Sequence, residues 1–154
     1  MKIEAVVVGK SHPAWLIEGI EEYQKRLMHY ASFSFRVVSP AGNLPALQAV
    51  EKEGRAILEK VTTKDWVIVL DEKGAEYDTI AFAKLLDKQM SNGTNSVVFI
   101  TGGAYGISQD VRQRANLILS FSKFTFTHQM IRLLLVEQLY RVMTVIEGKS
   151  YHHN

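Results

Sequence analysis

A chain of 154 residues, 47% hydrophobic and 22% charged, has the size and balance of one soluble domain, which on folding buries roughly 70% of its unfolded surface. The absence of cysteine excludes a disulfide framework and thiolate-held metal, and suits a reducing cytosol. A net charge of +2 does not announce a nucleic-acid binder. No apolar run of about 18 residues is present and the N-terminal one is too short for a signal peptide, so no membrane contact and a cytoplasmic location are expected.

"KIEAVVVG", residues 2–9, reads as a buried strand ending at Gly9. "HPAWLIEGIEEYQKRL" carries apolar residues at 15, 16, 20, 23 and 27, close to helical spacing, with Pro13 near its start. "SFSFRVVS" predicts a second strand closed by Pro40, and Gly42 to Pro45 a loop. Helical spacing resumes through Leu47, Val50, Ile57, Leu58 and Val61. "DWVIVLDEKG" is a third strand running into a charged turn at Asp71–Gly74. "TIAFAKLLDKQMSNG" predicts a helix with Thr79 as cap and Gly93 as stop. The strand "SVVFI", a glycine loop, a helix from about Ser108 and the short strand "NLILS" follow, and a long helix from about Thr127 to Ile146 finishes the chain. Strands alternating with helices predict an α/β fold, a mostly parallel sheet flanked by helices, in a single domain over residues 1–154.

Charge is spread unevenly. Residues 1–111 carry a net −2, whereas residues 112–154 carry +4, from Arg112, Arg114, Lys123, Arg132, Arg141 and Lys149 against Glu137 and Glu147. A cationic C-terminal third suits a phosphate-bearing partner.

The loop "TGGAYG", residues 101–106, is compatible with a nucleotide site or with an ordinary turn. A dinucleotide fingerprint has G-x-G-x-x-G after the first strand and an acid about 20 positions later. Here the pattern is G-G-x-x-G after the fourth strand, with Ser122 and Lys123 where the acid is required. The neighbouring segment "LSFSKFTFTHQMIR", residues 119–132, interleaves Phe121, Phe124 and Phe126 with Ser122, Lys123 and Thr125. Three rings in so short a loop either pack into the core or line a pocket. Two loops at the carboxyl ends of successive strands form the usual ligand crevice of an α/β sheet.

The last helix is apolar on nearly every side between Met130 and Ile146. It must be buried, and a partner subunit is the natural cover, so a homodimer is expected. Glu137 and Arg141 are i,i+4 neighbours suited to an interface ion pair, and His128 and Arg132 share the same spacing at the helix start.

Seven segments together resemble a known family: "MKIEAVVVGK" at the N-terminus, "EYQKRL" at 22–27, "KEGRAIL" at 52–58, "VIVLDEKG" at 67–74, "FITGGAYG" at 99–106, "LSFSKFTFTHQMIRLLLVEQLYR" at 119–141 and "GKSYHH" at 148–153. In this order and over this length the chain resembles the SPOUT methyltransferases of the ribosomal RNA large subunit methyltransferase H family. The resemblance implies a C-terminal trefoil knot, an exception to the rule against threaded connections. It also implies a homodimer, S-adenosyl-L-methionine as methyl donor, and N3 of a pseudouridine in helix 69 of the large-subunit (23S) rRNA, within the assembled ribosome, as target. No metal is implied. Carried onto this chain, the cofactor site takes Leu70, Gly102 and Gly103, with Phe121, Ser122, Lys123, Phe124, Thr125 and Phe126. Lys123 is expected to avoid the like-charged sulfonium and to be either a solvated lysine or an RNA phosphate contact.

The catalytic candidates are the tail pair Tyr151 and His152, for contact with the target base, and His128, which either anchors the loop or moves a proton. Arg112, Arg114, Arg132, Arg141 and Lys149 are candidate RNA contacts. Thr127 stands where many relatives have proline and can cap the last helix instead, and the His153–Asn154 ending replaces a basic residue.

Overall fold

The computed structural model describes residues 1–152. Five strands, β1 (Lys2–Val8), β2 (Ser32–Val38), β3 (Trp66–Glu76), β4 (Ser96–Ile100) and β5 (Leu117–Ser120), form one parallel sheet in the order β2-β1-β4-β3-β5. Five helices, α1 (Ala14–Leu27), α2 (Ala46–Leu58), α3 (Thr79–Ser91), α4 (Gln109–Arg114) and α5 (Met130–Ile146), connect and cover it. Parallel strands buried on both faces need apolar side chains at successive positions. In β1, Ile3, Ala5 and Val7 accordingly face one core while Val6 and Val8 face the other. The first core takes Leu16 and Ile20 of α1, Phe82 and Leu86 of α3, and Leu135 and Leu139 of α5. The second takes Ile57 of α2 and Val111 of α4. The expected α/β sheet with helices on both faces is the fold observed.

Three boundaries differ from the sequence-based expectation. The α3 cap is Asp78, whose Oδ1 accepts from the Ala81 N–H at 2.7 Å, one residue before the expected Thr79. α2 ends at Leu58, before Val61. β3 does not stop at the charged turn: Leu70 and Ala75 both pair with Leu119, so residues 71–74 loop out and the strand resumes to Glu76. Gly74 permits this, because a Cβ there would lie 2.6 Å from the Ile118 carbonyl oxygen.

α5 runs between α1 and α3. Gly19 of α1 allows the close approach, since a Cβ there would meet the Leu133 side chain at 3.1 Å. One chain therefore buries Leu135, Val136, Leu139, Val142 and Met143 without a partner. Ile131, Leu133, Leu134, Val145 and Ile146 stay half-buried, so one chain covers this helix only in part.

The start of α5 is tied to the end of β1 by Arg132, which is completely buried. Its Nη2 donates to the Val8 carbonyl at 2.6 Å, Nη1 to the Gly9 carbonyl at 2.8 Å and Ser11 Oγ at 3.1 Å, and Nε to the His128 carbonyl at 3.0 Å. Burial pushes the guanidinium down to about 10, still a cation at neutral pH. Arg132 is thus an internal anchor, correcting its reading as an RNA contact: its donors are spent on backbone and it presents no surface. Arg132→Met keeps length but leaves the Val8 and Gly9 carbonyls unpaired. We expect a loss of about 2–4 kcal/mol in urea unfolding, and a loss below about 1 kcal/mol would show that the anchor is dispensable.

Candidate active site

A cavity of about 400 Å³ opens at the carboxyl ends of β3, β4 and β5. Its floor is Leu70, Ile107, Leu119, Phe121 and Ile131; one wall is Thr101 to Ala104 with Gly106, and the other is Ser122 and Phe124 to His128.

The glycines of the first wall answer to space. Residues 103 and 106 pair as an isolated bridge, Gly106 donates its N–H to the Gly103 carbonyl at 3.2 Å, and Gly106 has φ +95°. A Cβ at Gly102 would lie 2.5 Å from the Gly106 oxygen, and one at Gly103 would lie 2.7 Å from Glu53 Oε1. The loop is a tight turn folded onto the buried Glu53 of α2. Burial raises the Glu53 carboxyl above its ordinary range, only partly offset by the Ala41 N–H. Ser108 then caps α4, its Oγ accepting from the Val111 N–H at 3.3 Å.

The second wall is held by short local bonds. Ser120 Oγ donates to the Ser122 carbonyl at 2.8 Å, and Ser122 Oγ accepts from the Phe124 N–H at 3.0 Å. Phe121 packs against the core edge, whereas Phe124 stands 82% exposed and Phe126 43% exposed on the cavity rim. Thr127 Oγ1 accepts from the Met130 N–H at 3.1 Å, so it supplies the turn into α5 that a proline would otherwise stiffen. Gln129 fastens the loop to the end of β1: Oε1 accepts from the His12 N–H at 3.1 Å and Nε2 donates to the Lys10 carbonyl at 3.0 Å.

Of the expected cofactor residues, Leu70, Gly102, Gly103, Phe121, Ser122, Phe124, Thr125 and Phe126 line this one cavity. Lys123 does not; it is exposed on the outside of the loop. His128 does line it, half-buried, and burial followed by the Arg132 and His12 charges lowers its pKa. It is therefore a neutral imidazole at neutral pH.

Thr101, Asp71 and Glu72 also line the cavity and were not among the expected cofactor residues. Asp71 accepts from the Lys73 N–H at 2.8 Å and pairs with Arg112 of α4. Among the described residues no lysine or arginine lines the cavity. The site has apolar faces and, at its lip, the exposed Glu72 beside the Asp71–Arg112 pair, which suits a planar group with polar edges and a cationic appendage. A pyrophosphate would find no counter-charge there. Among the described residues no cluster could hold a metal ion, and no helix is long and apolar enough to cross a membrane.

The tail residues lie elsewhere on the chain. The Tyr151 ring sits 4.6 Å from Tyr140 and under the Arg141 guanidinium at 4.9 Å, with its hydroxyl donating to Glu137 Oε1 at 3.4 Å. Burial, then its bond with Tyr23, pushes its phenol up to about 12. The Glu137–Arg141 ion pair expected at an interface forms within α5. Tyr151, Lys149, Arg141 and Tyr30 line a separate open groove, and neither Tyr151 nor His152 reaches the cavity of its own chain. His153 and Asn154 lie outside the described residues. Among the expected RNA contacts, Arg112 is engaged by Asp71, Arg114 by the Thr62 and Asp65 carbonyls, and Arg141 by Glu137, while Lys149 is exposed.

Fold and site together define an α/β protein with a cavity at the carboxyl ends of a parallel sheet. A family model described as "Predicted SPOUT methyltransferase" matches residues 1–152. The chain is 42% identical to the ribosomal RNA large subunit methyltransferase H of Parabacteroides distasonis, over 99% of both chains. It belongs to the SPOUT methyltransferases and, within them, to the ribosomal RNA large subunit methyltransferase H family. Two solved structures share the fold at low identity. A probable methyltransferase from Bordetella pertussis has a TM-score of 0.57 and 12% identity, over 92% of this chain and 96% of that one. A ribosomal RNA small subunit methyltransferase E from Neisseria gonorrhoeae, bound to S-adenosyl methionine, has a TM-score of 0.53 and 9% identity, over 95% of this chain and 66% of that one.

The His128 shift has a consequence for stability. A folded-state pKa below the ordinary 6.5 means the unfolded chain binds the proton more readily. Stability should thus be unaffected by this group above about pH 6.5 and should fall as pH drops from there towards the folded-state value. In His128→Gln the decline of Tm between pH 7 and pH 5 should be shallower than in the parent chain; parallel curves would remove His128 from the linkage.

Proposed function

We propose that this protein transfers a methyl group from S-adenosyl-L-methionine to large-subunit ribosomal RNA, at N3 of a pseudouridine in helix 69 of the assembled particle. The observation that carries the cofactor reading is the cation-free cavity between the glycine turn and the aromatic loop. The relatives' names and the donor in the structural neighbour support the reaction class.

When bound, the donor supplies an electrophilic methyl group on a sulfonium sulfur. Leu70, Gly102, Gly103 and residues 121–126 other than Lys123 would enclose its adenosyl part, with the exposed Glu72 on the side that complements positive charge. The nucleophile is a weakly acidic imide nitrogen, so the protein must orient it in line with the methyl and take one proton. The N–C bond forms as the C–S bond breaks, and the two opposite charges cancel in a water-poor site, which favours transfer. His128, neutral and on the cavity wall, is positioned to receive the proton.

Tyr151 and His152 lie off the cavity of their own chain, so we assign their contact with the target base to the tail of a second copy. The half-buried apolar residues of α5 and the neighbouring cavity lined by Tyr77, Phe82, Phe126 and Leu134 support a homodimer. The path of residues 121–129, from β5 at the sheet edge back to the end of β1, supports a threaded, knotted C-terminal region. Lys149 is the exposed tail cation left to meet phosphate.

Purified protein incubated with labelled S-adenosyl-L-methionine and ribosomes lacking the modification should place label on that pseudouridine. Absence of label there would overturn the assignment. Sedimentation of the same preparation should give twice the chain mass, and a monomer at micromolar concentration would contradict the composite site.

A further inference from the structure

Thr101 is the residue that follows β4, at the junction of strand and glycine turn. Its backbone N–H donates to the Val6 carbonyl at 3.1 Å, which fixes the main chain there. Its side chain is not fixed in that way. Thr101 is 2% exposed, its Oγ1 is buried with no hydrogen-bond partner among the described residues, and the residue lines the cavity. A hydroxyl left unpaired in the interior is destabilising where valine has the same shape and no such penalty. Its position against the site suggests what completes it.

We propose that Thr101 is a ligand-binding residue, whose hydroxyl hydrogen-bonds the neutral adenosyl half of the methyl donor. The inference rests on the cofactor reading above. The choice between the two halves of the donor follows from charge. The amino-acid end carries an ammonium and a carboxylate, whereas the lining that Thr101 shares includes the apolar Leu70, Leu119 and Ile107. The charged lining groups, Asp71 and Glu72, stand on the loop after Leu70. A purine edge or ribose hydroxyl, by contrast, is uncharged and pairs with one hydroxyl that can both donate and accept. The bond would form only in the complex, so Thr101 acts on affinity and its cost is borne by the free protein.

Thr101→Val and Thr101→Ser separate this from a structural role. Calorimetric titration with S-adenosyl-L-methionine, and with 5′-methylthioadenosine, which lacks the amino-acid end, should show about 5–10-fold weaker binding of both ligands by Thr101→Val. The ligand-free Thr101→Val protein should melt at the parent temperature or above it, and Thr101→Ser should bind as the parent does. Parent-like binding by Thr101→Val, a loss confined to S-adenosyl-L-methionine, or a lowered Tm accompanying weaker binding would each overturn the proposal. Failure of the parent chain to bind either ligand would overturn the cofactor reading itself, and this inference with it.

Discussion

The buried guanidinium of Arg132 is the contact on which the rest of the site depends. A parallel sheet leaves carbonyls at the carboxyl end of each strand, and that of Val8 is buried while that of Gly9 is partly so. Arg132 meets both, and Ser11 besides, from the first turn of α5. Taking a cation out of water is costly, and here the cost is offset by four directed hydrogen bonds. The result is positional: α5 must begin beside the end of β1, although the preceding strand, β5, lies at the far edge of the sheet. Residues 121–129 are therefore drawn back across the strand ends, and they form the second wall of the cavity. The same charge also helps keep His128 neutral.

Electrostatics then limits what the cavity can hold. Basic residues surround it in sequence, yet Arg112 is turned to Asp71, Arg132 to the backbone, and Lys123 to solvent. The lining keeps only acids, a neutral imidazole and uncharged groups. Glu53 illustrates the discrimination from below. Its carboxyl is buried with no cation and rises in pKa, and what it gives the site is a fixed surface on which Gly103 lies. A glycine pattern that in another setting cradles phosphate is here a packing solution: Gly102 clears its own turn and Gly103 clears Glu53.

Features carried by local pattern were legible in the sequence. Strand after strand could be read from continuous apolar runs, because a parallel sheet buries both faces. The two cavity loops could be read from glycines and from aromatic residues that had no helical or strand period. Resemblance to relatives then selected the residues of those loops. What could not be read depended on contacts across the chain. Arg132 looked like a surface cation at i+4 from His128, since nothing in its neighbourhood signals the Val8 and Gly9 carbonyls more than 120 positions earlier. Thr101 looked like an ordinary residue before a glycine turn, because an unpaired hydroxyl exists only once the strand ends have met. The cap of α3 slipped by one residue because Asp78 and Thr79 are both competent caps, and geometry alone decides between them. The apolar sequence of α5 does not reveal that α1 and α3 flank it.

The tail bears on which group takes the proton in the proposed reaction. With its phenol pushed up to about 12, Tyr151 keeps its hydrogen at neutral pH and cannot serve as the base. Its ring packs against Tyr140 and the Arg141 guanidinium, which fixes the start of the tail that carries both residues. That leaves two imidazoles. His128 is on the cavity wall, but the burial that keeps it neutral also makes it a weaker base than a free histidine. A weak base suffices if deprotonation and methyl transfer are closely coupled, because the imide anion is neutralised by the donor's positive charge as the new bond forms. His152, on the tail, can then serve to position the target base without being asked to carry charge. The burial that depresses His128 and the exclusion of lysine and arginine from the lining have one effect in common. In the proposed complex the described lining residues bring no cation of their own, so the charge cancelled by methyl transfer would be the donor's.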